Sequence, residues 1–195
     1  ESGGSNCDLC NNKIFPCTEY QCRSLGTGCE LINKETDDER CIHKDAKDVN
    51  PPTITPLKEA LIEGYRYDPL PKGQYGVEIK YGTQECLPAF TPFSFGVELD
   101  KAGYCKMDFE MTGNFSDMAS DLGGSNRFTI NHTQILSFPG VANAEAEGLN
   151  VLQEGENTLY IRCTSVNGVA NIGNFVIKFC VDKGPDTTPP LIVST

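Results

Sequence analysis

The sequence has no tryptophan, only two histidines and three methionines, and 16 basic residues against 27 acidic ones. Each scarcity excludes something. With only His43 and His132 available, a mixed Cys/His zinc site has few ligands to draw on. A net charge of −11 argues against a nucleic-acid partner or an anionic membrane surface. No apolar run approaches the roughly 18 residues that a membrane-spanning helix needs. The nucleophile motif GxSxG, the metalloprotease motif HExxH and phosphate-binding loops are all missing. No enzyme, metal or cofactor is expected. Strand–helix alternation is missing too, which excludes a doubly wound sheet.

Cysteine, glycine and proline are what the chain has in quantity, at 10, 19 and 12 residues. An even number of cysteines at this density fits an oxidising compartment with paired thiols. The chain opens at Glu1 rather than methionine, which reads as a removed leader or an excerpt of a longer protein. Six cysteines, Cys7, Cys10, Cys17, Cys22, Cys29 and Cys41, crowd the first 45 residues with little apolar material between them. So small and polar a segment needs bridges for order, and the spacing leaves all fifteen pairings open. The expected organisation is a disulfide-stabilised segment over 1–50, a linker with a short helix over 51–73, a β-sandwich over 74–184, and a linker or donated strand over 185–195.

The linker reading rests on three prolines in "NPPTITP", and the helix on the apolar spacing of "LKEALIEGY", with Gly64 to end it. From residue 74 the pattern alternates with a period of two. Seven short strands are predicted, in "YGVEIKYG", "PFSFGVELD", "YCKMDFEM", "NRFTINHT", "TQILSF", "NTLYIRCTS" and "NFVIKFCV". Turn residues separate them, and that count and spacing fit a β-sandwich. Cys105 and Cys163 fall on the apolar phase of their strands, so both sulfurs are expected in the core, as an inter-sheet bridge.

"GVELDKAGYCKMDF" and "LYIRCTSVNGVANIGNFVIKFCV" carry a further pattern. Cys105, Lys106, Met118, His132, Tyr160, Arg162, Cys163, Gly168 and Asn171 match the recurring residues of immunoglobulin-like modules in large prokaryotic, archaeal cell-surface proteins. The chain resembles that family over roughly residues 75–190. "GPDTTPP" is similar to the linkers between such modules, and "CRSLGTGCELIN" resembles a Cys-rich segment that precedes them. The resemblance implies a non-catalytic extracellular scaffold, part of a surface layer, adhesin or repeat stalk, in which the two matched cysteines pair. Its partners would be other copies or modules of the same surface protein. Ser165 stands where the family pattern has Asp, which weakens any cation site there. In immunoglobulin-type sandwiches the first strand often runs parallel beside the last, an arrangement that brings Cys86 to Cys180 at one pole.

Two N-x-S/T sequons, at Asn114 and Asn131, are candidate N-glycan sites in an exported protein. His132 reads as a structural hydrogen-bonder or a surface residue, and His43 as solvent-facing. "TDDER" and "SDMASD" lack the ligand spacing of a calcium loop. Leu191, Ile192 and Val193 form an apolar, β-prone run after a double proline. They read as the start of a following module or, alternatively, as a strand donated to the next copy of an extracellular filament.

Overall fold

The computed structural model describes residues 6–11, 15–37, 39–45, 47–84, 86–88, 91–124, 128–136 and 155–182. Its first part is a small knot. A single 3-10 turn, Cys7–Cys10, precedes α1 (Glu19–Ser24), and β1 (Cys29–Ile32) pairs antiparallel with β2 (Arg40–His43). Thr18 starts α1 with a reciprocal cap: its hydroxyl accepts from the Gln21 N–H, and the Gln21 side chain accepts from the Thr18 N–H. Three bridges supply the interior, Cys7–Cys29, Cys10–Cys17 and Cys22–Cys41. All six cysteines are buried, with Leu31 beside them and Leu25 packed alongside. This is the expected answer of a segment too short for an aliphatic core.

The rest is one eight-stranded sheet, curled nearly into a barrel. Its strands are β3 (Ile54–Pro56), β4 (Tyr65–Pro69), β5 (Gly76–Tyr81), β6 (Phe93–Asp108), β7 (Ser120–Asp121), β8 (Thr129–Leu136), β9 (Gly155–Ser165) and β10 (Phe175–Val181). The order runs β3-β6-β9-β10-β5-β4, with β7 and β8 also on β6. β10 and β5 are parallel; the other pairings of named strands are antiparallel. The alternating residues Val77, Ile79, Phe93, Phe95, Val97, Leu99, Leu159, Ile161, Phe175, Ile177 and Phe179 all point inward and make the core. Gly76 is required by contact: a Cβ there would sit 1.9 Å from the Val176 carbonyl oxygen on β10.

Several expectations need correction. Residues 51–73 are not simply linker and helix. Ile54–Pro56 pairs with Leu99, Glu98 and Val97 of β6, and Tyr65–Pro69 pairs with β5. The helical spacing of "LKEAL" is satisfied by one 3-10 turn, Lys58–Ala60, because the Leu57 N–H is already bonded to the Gly96 carbonyl and the chain must turn back at Gly64 into β4. The strands expected at "PFSFGVELD" and "YCKMDFEM" are one long strand, β6. Its register shifts between Glu98 and Gly103, where it leaves β3 and most of β8 behind and takes up β9. β6 ends at Asp108, so Met111 is exposed rather than in phase. Likewise "NRFTINHT" and "TQILSF" contribute to a single strand, β8, and Phe138 lies outside the described residues.

Two tyrosines close the seam that the backbone ladder leaves open. The Tyr67 hydroxyl of β4 accepts from the Gly96 N–H (3.0 Å) and donates to the Gly96 carbonyl (3.1 Å). The Tyr75 hydroxyl accepts from the Ile54 N–H (2.9 Å) and donates to the Ile54 carbonyl. Burial pushes the Tyr67 hydroxyl up to about 12, against the opposing effect of the Gly96 hydrogen bond.

The knot is tied to the sheet by polar side chains. Asn167 Nδ2 donates to the carbonyls of Asp45 (2.7 Å) and Asp48 (2.9 Å), and Lys101 Nζ meets the Asp48 carboxylate at 2.6 Å. Asn171 Nδ2 donates to the Pro52 carbonyl, while Arg40 Nη2 reaches the Phe128 carbonyl at 3.0 Å.

Candidate functional site

The residues singled out in the sequence resolve into staples, sequons and a histidine. Cys105 and Cys163 are bridged and fully buried, as the apolar phase of β6 and β9 requires. The bridge is not inter-sheet, however. After the bend in β6 the two residues are direct cross-strand partners, with Cα atoms 4.0 Å apart. The sheet expected as two separate layers is continuous here, so the sulfurs join neighbours. Asn171 braces the same point, accepting from the Cys163 N–H through Oδ1 and donating its own N–H to the Cys163 carbonyl, both at 3.0 Å.

Cys86 and Cys180 are bridged at the pole where β5 and β10 run parallel, with Cα atoms 4.4 Å apart. Backbone bonds continue beyond β5, from the Leu87 N–H to the Cys180 carbonyl (2.6 Å) and from the Asp182 N–H to the Leu87 carbonyl (2.8 Å). Both cysteines are only half-buried, unlike the inner pair. The bridges are nested: the 58-residue separation of Cys105–Cys163 lies inside the 94-residue separation of Cys86–Cys180. All ten cysteines are paired.

Sulfurs crowd together in the knot. Those of Cys7, Cys29 and Cys41 lie within 4.8 Å of one another, as do those of Cys17, Cys22 and Cys41. Each is already bonded to a partner sulfur, so none offers the thiolate that a metal requires.

His132 is buried at the bend of β6. Its Nε2 faces the carbonyls of Gly103 (3.0 Å) and Thr129 (3.2 Å), and its Nδ1 faces the Leu122 carbonyl (3.3 Å). Burial is the main cause holding its pKa below the usual histidine value, and the three carbonyls pull the other way. It is a structural hydrogen-bonder, and His43 is exposed. Arg162, not anticipated as buried, clamps a loop: its guanidinium donates to the Asn174 side chain (2.6 Å) and to the Gly113 (2.5 Å) and Thr112 (3.1 Å) carbonyls. Its outward phase on the strand gives no sign of burial; the one signal in the sequence is that Arg162 is among the residues that carry the family resemblance.

Both sequon asparagines are exposed. Asn114 precedes the 3-10 turn Phe115–Asp117, and its amide donates to Asp117 Oδ2 at 2.9 Å. Asn131 is on β8, opposite Glu98 of β6. Beside it is a shallow groove of about 380 Å³ lined by Leu57, Glu59, Ala60, Glu98, Asn131 and Thr133. Gly96 makes the groove possible, since a Cβ there would press to 2.7 Å on Ala60 Cβ. Leu191, Ile192 and Val193 lie outside the described residues. No helix among the described residues is long and apolar enough to cross a membrane. No protein-family model, curated protein or solved structure matches the chain.

Proposed function

We propose that the chain is a non-catalytic structural module of an extracellular cell-surface protein, such as a surface layer, an adhesin or a repeat stalk. In this reading the two halves of the curled sheet act as the layers of an immunoglobulin-like sandwich. The knot of residues 6–45 is a rigid cap on its N-terminal side, and other copies or modules of the same protein are its partners. The observation that carries the reading is the nesting of the two sheet bridges. The outer one joins the segment just past β5 to β10, the last strand among the described residues, so tension between residues 86 and 180 runs through sulfur rather than through the ladder between them. Reactive chemistry has no comparable support: the buried histidine faces three backbone carbonyls, and every sulfur is committed.

The test is made on intact cells of the source organism. Antibody accessibility on unbroken cells, together with no alkylated cysteine before reduction, is the expected result. A cytosolic pool carrying free thiols overturns the proposal.

A further inference from the structure

We propose that Asn131 carries an N-linked glycan whose first sugar lies in the groove between the 57–60 turn and β8. The inference rests on the extracellular reading, because the sugar donor acts on exported chains.

The two sequons differ in what holds them. At Asn114 one carboxylate engages both groups a transferase must use: Asp117 Oδ2 accepts from the Asn114 amide, and Asp117 Oδ1 accepts from the Ser116 hydroxyl at 3.2 Å. At Asn131 neither the amide nor the Thr133 hydroxyl has a hydrogen-bond partner among the described residues, and both residues are exposed. Asn131 and Thr133 stand two apart on one face of β8, opposite Glu98 and Gly96 of β6, and both line the groove.

The groove has the chemistry of a sugar seat. Ala60, with the edge of the largely buried Leu57, offers aliphatic surface to the C–H face of a pyranose. Glu59 and Glu98 offer carboxylates to its hydroxyls, and such charge-assisted hydrogen bonds are about twice as strong as neutral ones. Neither carboxylate is in an ion pair or a side-chain hydrogen bond among the described residues. The volume is at the low end of the range for small-ligand clefts, roughly 300–1,000 Å³. A tethered sugar needs little affinity of its own, since attachment at Asn131 supplies a high effective concentration.

The attachment is a substitution. Asn131 Nδ2 bonds to the anomeric carbon of a polyprenyl-phosphate-linked oligosaccharide, the bond from that carbon to the carrier phosphate breaks, and the amide gives up one proton. Nothing is oxidised or reduced.

The test is secretion of the full chain from a mammalian cell line, with site occupancy read by peptide mass spectrometry after enzymatic release in heavy-oxygen water. Most molecules are expected to be modified at Asn131 and a minority at Asn114, with Thr133→Ala abolishing the first. Under native conditions amidase release from Asn131 is expected to be slow. Glu59→Gln with Glu98→Gln should speed it about tenfold, the effect of losing two weakly net-favourable hydrogen bonds. An unmodified Asn131 in a secreted, fully bridged chain overturns the site and leaves the surface reading intact. Release unaffected by the glutamate changes overturns the seat. A chain that stays inside with reduced thiols overturns the surface reading itself.

Discussion

Nested bridges make a quantitative prediction under force. Pull the chain between handle proteins fused to its two ends, and the outer Cys86–Cys180 bridge keeps its whole loop out of the path of tension. Stretched polypeptide gains about 3.5 Å per residue. Replacing Cys86 and Cys180 by serine, with the inner bridge intact, exposes the difference between the two separations, 94 less 58, or 36 residues. That is about 125 Å of added contour length. Replacing Cys105 and Cys163 as well releases their 58 residues, about 200 Å more. Replacing only the inner pair adds no length, although loop-closure entropy puts its cost to stability at about 4 kcal/mol. Single-molecule force spectroscopy reads these lengths directly. A mild reductant should add the shorter step first, because Cys86 and Cys180 are half-buried while the inner sulfurs are sealed in the core. Extra length from the inner-pair variant alone refutes the nesting. A wild-type chain that already extends by the full amount refutes the mechanical role of the bridges.

His132 makes stability fall on the acid side. Its folded pKa is lowered, so the stability its neutral form contributes is present above the unfolded value near 6.5 and declines as pH falls from there toward the folded value. Chemical denaturation across that window should show the decline, and His132→Gln should flatten it; a flat wild-type profile counts against the burial argument. Tyr67→Phe orphans the Gly96 N–H and should cost about 1–3 kcal/mol, with faster amide exchange along β4 as the local sign. Deleting residues 187–195 should leave the elution volume of the chain unchanged; collapse of an oligomer to monomers would favour strand donation over the scaffold reading.

Much of the sheet is legible in the chain because burial on one face writes a period of two. β5, β9 and β10 follow their alternating residues closely, and β5 and β10 pair in parallel, the arrangement expected from the family resemblance. The bend of β6 is not legible. Asp100, Lys101 and Ala102 look like a turn between two strands, yet the backbone shifts register there without stopping. β3 is hidden by prolines at both ends and β4 by Gly64 before it and Pro69 at its end, and lengths of three and five residues are too short for any pattern. In the knot the cysteines announce bridges but not partners, since pairing is set by the turn, α1 and the β1/β2 hairpin that bring them together. Of the site, Asn131 is readable as a motif, whereas the groove beside it depends on Gly96 admitting Ala60 from a segment 36 residues away.

The tyrosine seam bears on solubility. A sheet that stops short of closing leaves unsatisfied amides and carbonyls at its margins, which recruit foreign strands unless something blocks them. Here two phenols act as stoppers. Each spends one oxygen on both backbone groups of a single residue, Ile54 at one margin and Gly96 beside it. They act there beside charged groups, the Arg66–Asp68 pair on β4 and the Asp100 carboxylate that accepts from the Thr53 N–H, which make the same margin a poor template for a foreign strand.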